Sequence, residues 1–152
     1  VRLFLLRHGR AEPFLANDAS RALVASGRED VRNILTRKRD AMSAVTDVWV
    51  SPYVRARQSA EIALDVLGLS AQCERVSDLI VPEARVGHLI DALYESGLES
   101  VLLVSHQPLA STLLDTLCGS SAAHDMRTAS LAAVELDVVA ADMGRLQWLL
   151  HP

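Results

Sequence analysis

The chain is poor in cysteine and aromatics and has no long apolar run, and each shortage removes a class of function. Its only cysteines, Cys73 and Cys118, lie far apart with no CxxC or mixed Cys/His spacing around them. They read as reduced, mostly buried thiols rather than a disulfide framework or a zinc module. The longest apolar blocks, such as Leu3 to Leu6 and Val101 to Val104, fall far short of the roughly 20 residues a membrane helix needs. Val1 to Leu6 is too short for a secretory signal and runs directly into Arg7-His8-Gly9, so a soluble, cytoplasmic protein with no membrane partner is expected. A formal charge of -4, with no Lys/Arg run interleaved with aromatics, gives no basis for nucleic-acid binding. Any anion must therefore be held by a local cluster. The densest basic stretch, Arg37-Lys38-Arg39, reads as a solvated helix end whose cations complement the dipole.

At 152 residues, half of them apolar, the chain is sized for one compact domain, residues 1–152. Strand-like and helix-like periods alternate, which predicts a three-layer α/β/α sandwich around a mostly parallel, mixed sheet. Leu3 to Leu6, Val45 to Val50 and Val101 to Val104 suit buried central strands. Gln72 to Val76 is a weaker strand, and Ser130 to Leu136 with Arg145 to Leu150 reads as an antiparallel pair. Helical faces are marked by Val31, Ile34 and Leu35; by Ala56, Ala60, Ala63, Leu64 and Leu67; by Val86, Leu89, Ile90, Leu93 and Tyr94; and by Leu109, Leu113 and Leu117. Pro82 and Gly97 are expected to bound the third, Pro108 and Gly119 the fourth. Ala11 to Ser20 and Ser120 to Thr128 read as the least structured stretches.

The first strand ends in Arg7-His8-Gly9-Arg10, placing a histidine between cations at a strand's carboxyl end, where open α/β sheets hold their ligands. Glycine at 9 allows close backbone approach. The strand Val101 to Val104 ends in Ser105-His106, and Ser51-Pro52-Tyr53 leads into a helix carrying Arg55 and Arg57 in its first turn. Two histidines and several arginines on one rim, without a carboxylate-rich metal set, point to a pocket for a tetrahedral dianion such as phosphate or sulfate. No metal or other cofactor is required. His88, His124 and His151 have no ligand spacing and are expected to be surface or internally satisfied histidines.

In order and spacing, Leu6-Arg7-His8-Gly9, Asp18, Arg21-Ala22-Leu23, Ser51-Pro52-Tyr53-Val54-Arg55-Ala56, Gln58-Ser59-Ala60 and Val104-Ser105-His106-Gln107-Pro108-Leu109 resemble the histidine phosphatase superfamily. Within it, they resemble the small SixA-type phosphohistidine phosphatases. The resemblance spans nearly the whole chain. It implies a phosphoglycerate mutase-like fold without a large cap insertion, His8 as nucleophile, and Arg7, Arg55 and His106 as catalytic groups binding phosphoryl oxygens. Arg21 is implied at the rim, and Asp18 is implied among the catalytic residues. The chain departs from the pattern at Ala22, where relatives often have proline, and at Val24, where they often have a capping threonine, which weakens the expected helix start near Val24 to Gly27.

Neighbouring Arg7, Arg10 and Arg55 are expected to keep His8 uncharged, whereas His106 is expected to act as a charged donor. Asp18, Glu12 and Glu83 are the candidates for a general acid, which an ester substrate would require, and Asp18 is the first choice by resemblance. With no room for a cap, the site should be open and suit a phosphorylated side chain on a protein. Phosphohistidine, whose imidazole leaves readily, is the expected substrate. A histidine-containing phosphotransfer domain or a sugar-phosphotransferase-system protein is the family-level partner, and a chain this short is compatible with a monomer. The alternatives are a broad-specificity phosphomonoesterase with the same groups and a non-catalytic phospho-binding module.

Overall fold

A computed structural model of the chain describes residues 1–14, 16–119 and 124–152. Strands β1 (Arg2–Arg7), β2 (Asp47–Val50), β3 (Glu74–Val76), β4 (Ser100–Ser105), β5 (Leu131–Leu136) and β6 (Gly144–Leu150) form one sheet in the order β3-β2-β4-β1-β5-β6. The first four in that order run parallel, while β5 and β6 are added antiparallel. Helices α1 (Ala25–Arg37) and α2 (Val54–Leu67) belong to one face, α3 (Val86–Ser96) and α4 (Leu109–Cys118) to the other.

Burial on both faces explains the continuous apolar runs of the central strands. Successive side chains alternate across a strand, so Phe4, Leu6, Val48, Val50, Leu102 and Val104 enter the α1/α2 core. Leu3, Leu5, Trp49, Val101 and Leu103 enter the α3/α4 core. The same pairing builds the site. Arg7 lies opposite Ser105 in the β1–β4 register, and the His8 amide donates to the Ser105 carbonyl at 3.0 Å, so His8 and His106 leave the sheet side by side.

Helix α1 starts at Ala25 with Val24 as an N-cap that makes no side-chain bond, as the missing capping hydroxyl led us to expect. Close backbone packing fixes it instead. A Cβ on Gly27 would lie 2.2 Å from the Arg10 carbonyl oxygen, and one on Gly9 would lie 2.6 Å from the Gly27 carbonyl oxygen. Glycine at 9 is thus demanded by the helix crossing beside it. Helices α2 and α3 end on left-handed glycines, Gly68 at φ 69° and Gly97 at φ 66°, where a side chain would be strained.

Several expectations need adjustment. Helix α3 begins at Val86 rather than Pro82, because Pro82 and Glu83 form a turn in which the Ala84 amide donates to the Val81 carbonyl at 3.1 Å, and Arg85 is still extended. Tyr94 is 62% exposed: it sits one residue, about 100°, beyond Leu93 and turns off the buried stripe. Lys38 is not merely solvated, since its Nζ lies 4.7 Å from the Trp148 ring centroid, a cation–π distance. The loop from Ala11 is more ordered than its composition suggests, with an Ala11–Leu23 bridge and a 3₁₀ turn at Asp18–Ser20. Of Ser120 to Thr128, residues 120–123 lie outside the described residues. Among the described residues, no helix is long and apolar enough to cross a membrane.

Candidate active site

His8 is buried at the carboxyl end of β1, and its Nδ1 lies 2.7 Å from the Gly9 carbonyl oxygen. A carbonyl only accepts, so Nδ1 carries the proton and Nε2 keeps its lone pair. Arg55 Nε donates to that lone pair at 3.2 Å. Burial drives the His8 pKa down to about 3, with Arg55, Arg7 and Arg21 pushing the same way and the bond to Gly9 opposing. His8 is therefore uncharged at neutral pH. Arg10, expected to contribute, is exposed and is not among the charges acting on it.

The His106 ring centroid lies 4.9 Å from that of His8. Its Nε2 is 2.7 Å from Ser51 Oγ at the end of β2, and the Tyr53 ring approaches it nearly edge-on at 4.8 Å. Its Nδ1 is buried without a hydrogen-bond partner among the described residues. Burial lowers the His106 pKa to about 2, aided by His8, Arg55 and Arg7 and opposed by Asp18. The expected charged donor is thus a neutral imidazole in this arrangement, because it is buried and, secondarily, because Arg55 and Arg7 lie nearby. A phosphoryl dianion beside it would reverse that balance.

Arg55, 4% exposed, has every nitrogen engaged: besides His8, Nη1 donates to the Asp18 carbonyl at 2.7 Å and Nη2 to the Asp18 carboxylate at 3.1 Å. The other Asp18 carboxylate oxygen accepts from Arg21 Nη1 at 2.9 Å. The Arg21 bond first, and Arg55 after it, hold the Asp18 carboxyl below its usual range. Asp18 is therefore an ionised bridge between two arginines, a poor starting state for a proton donor. Arg7 Nη1 donates to the Met126 carbonyl at 2.9 Å, while its Nε is buried with no hydrogen-bond partner among the described residues. Burial lowers the Arg7 pKa, against the attraction of Asp125.

His8, Arg7, Arg55 and His106 thus converge, with Asp18 and Arg21 beside them. Arg57 does not join. It forms an ion pair with Glu74 on β3 at 2.8 Å, because it lies two residues beyond Arg55 on α2 and faces another way. Glu12 is committed to the loop, its Oε1 accepting from the Ala22 amide at 2.9 Å. Glu83 is exposed in the turn before α3. Among the described residues, no group of three His, Cys, Asp or Glu is placed to hold a metal ion.

Sequence reasoning left three supports without a role. Ser51 contacts His106, as above. Ser59 Oγ accepts from the Gly9 amide at 3.1 Å and donates to the Arg55 carbonyl at 2.8 Å, tying α2 to the His8 turn. Gln58 Oε1 accepts from the Leu23 amide at 2.7 Å. All three stood within the motifs already singled out, but only the fold shows what they bond. Chemically, the arrangement presents a nucleophilic nitrogen among fixed N–H donors, which suits in-line attack on phosphorus.

A family model of the histidine phosphatase superfamily (branch 1) matches residues 3–80. Phosphohistidine phosphatase SixA of Escherichia coli is 31% identical over 155 aligned residues, covering 100% of this chain and 94% of that protein. A SixA homolog of Haemophilus influenzae is 27% identical, covering 78% of each chain. The structure of the protein histidine phosphatase SixA complexed with tungstate superposes with a TM-score of 0.89 at 30% identity, covering 100% of this chain and 97% of that one.

Proposed function

Because the chain belongs to the histidine phosphatase superfamily, we propose that it removes the phosphoryl group from phosphohistidine on partner proteins, with His8 as the nucleophile. The observation that carries this reading is the fixed tautomer of His8: Nδ1–H donates to Gly9, leaving an uncharged Nε2 beside the Arg55 guanidinium. In the first displacement, the Nε2 lone pair forms a bond to phosphorus while the substrate P–N bond breaks, and the departing imidazole carries a proton. In the second, water attacks phospho-His8, its proton passes to solvent or phosphate, and His8 regains its lone pair. Two in-line steps give net retention at phosphorus.

Arg7, Arg55 and His106 would donate to the phosphoryl oxygens, where preorganised donors stabilise charge without reorganising. Arg21 would act at the rim. Asp18, ionised and bonded to both Arg55 and Arg21, would position Arg55 rather than supply a proton. This favours phosphohistidine over a phosphate ester, since an alkoxide needs an acid and a protonated imidazole does not. We read residues 1–152 as one domain, with a phosphotransfer or phosphotransferase-system protein in the cytoplasm as its partner.

The test is to incubate wild type and His8→Ala with 32P-labelled phosphohistidine proteins and with small phosphate esters. Wild type should release phosphate from the proteins at least about 100-fold faster than from esters and carry acid-labile label. His8→Ala should lose label and turnover by about 10⁴-fold or more. Comparable ester turnover would overturn the substrate reading, and label surviving in His8→Ala would overturn the nucleophile.

A further inference from the structure

Arg7 owes its placement to a segment that the catalytic reading does not use, residues 124–130 between α4 and β5. The Met126 carbonyl accepts from Arg7 Nη1 at 2.9 Å and also from Gln107 Nε2 at 3.1 Å, so both lone pairs of that oxygen are used. Gln107 is itself oriented by Ser111, whose amide donates to Oε1 at 2.9 Å and whose Oγ accepts from Nε2 at 2.5 Å. Upstream, the His124 amide and Nδ1 both bond to Asp115 Oδ1 on α4, at 3.2 and 2.6 Å. Downstream, the Ala129 amide donates to the carbonyls of Arg7 and His8 at 3.2 and 3.0 Å. Ala129 does so at φ 56° without being glycine, a conformation that persists where surroundings impose it. The Met126 side chain is wholly buried in the α3/α4 core.

We propose that residues 124–130 form a strap that sets the Arg7 guanidinium, and that Gln107 and His124 are positioning residues for phosphoryl binding through it. This rests on the reading of Arg7 as a phosphoryl-binding group. Neither residue bonds to His8, His106 or Arg55. Gln107 fixes the carbonyl that holds Arg7, and His124 fixes the strap's entry. Without them the carbonyl keeps its place in the sequence but loses its aim, and Arg7 trades one orientation for several.

The experiment measures tungstate affinity by calorimetry, together with urea unfolding midpoints, for Gln107→Leu, His124→Ala and His124→Asn. Each is made in the wild-type and the Arg7→Lys background. Gln107→Leu and His124→Ala should weaken tungstate binding about tenfold with the Gln107→Leu midpoint unchanged. His124→Asn, which can donate to Asp115 again, should restore most of the affinity. In the Arg7→Lys background both losses should shrink to within about twofold, as expected when two sites act as one unit. Unchanged affinity in Gln107→Leu, or equal losses in both backgrounds, overturns the strap while leaving the catalytic reading standing. Tungstate binding unaffected by Arg7→Lys alone overturns both.

Discussion

The two arginines bonded or closest in charge to His8 are held differently. Both give an Nη–H to a loop carbonyl, Arg55 to Asp18 and Arg7 to Met126. Arg55 also meets a carboxylate and His8 Nε2, so each of its nitrogens has a fixed partner. Arg7 has none on Nε among the described residues. One guanidinium is locked by its own partners, and the other is oriented from one side with donor capacity in reserve. The lesson is that a site of like charges need not be uniformly rigid: the group that touches His8 is fixed by its own partners, and the group with spare donors is oriented from one side.

Conservative replacement separates the two most strongly. Arg55→Lys removes a planar fork with three engaged nitrogens, which a point charge cannot replace. It should lower kcat/KM on a phosphohistidine protein by about 10²- to 10³-fold, and Arg7→Lys by roughly tenfold less. Equal losses in steady-state kinetics would erase the distinction.

A second measurement concerns the histidines that both arginines surround. His8 and His106 have pKa values of about 3 and about 2, below the ordinary 6.5. As pH falls below about 6.5 the unfolded chain takes up protons that the folded chain refuses, so stability is lost over the window from about 6.5 to about 3. The slope should approach about 1.4 kcal/mol per pH unit for each histidine. Urea unfolding of wild type and His106→Gln between pH 7 and 5 checks this. A slope that His106→Gln does not reduce would mean that folding does not lower the His106 pKa.

The smallest expected effect falls on the carboxylate that distinguishes Arg55. Asp18→Asn keeps the carbonyl bond and an oxygen acceptor, so kcat on a phosphohistidine protein should change by less than about tenfold, with an unaltered pH profile. A general acid would cost about 10²- to 10⁴-fold and remove a limb of the pH–rate curve.

Much of this was legible before any coordinates. Apolar runs bounded by Arg-His-Gly and Ser-His placed both histidines at strand ends, and the glycine stops at 97 and 119 closed their helices where expected. What sequence could not give was adjacency: nothing in residues 1–10 says that β1 lies beside β4, which is what brings two rings within 4.9 Å. Periodicity alone left Arg55 and Arg57 together at one helix start; the motif resemblance singled out Arg55, and the fold gives the reason, since the two share a helical turn but not a direction. Sequence also did not show that His106 would be neutral, because the expected charge overlooked the cost of burying a cation among cations. Asp18 was named as the first-choice general acid, and its ionised, doubly bonded state was not legible because it depends on a loop fold that composition read as slack.

The Asp18 bridge bears on how the site clears. With Arg55 Nη2 and Arg21 Nη1 on its two oxygens, the carboxylate offsets positive charge that would otherwise hold released phosphate. An anion reaching Arg55 therefore meets a guanidinium whose charge Asp18 already partly offsets, so Asp18→Asn should tighten the binding of inorganic phosphate.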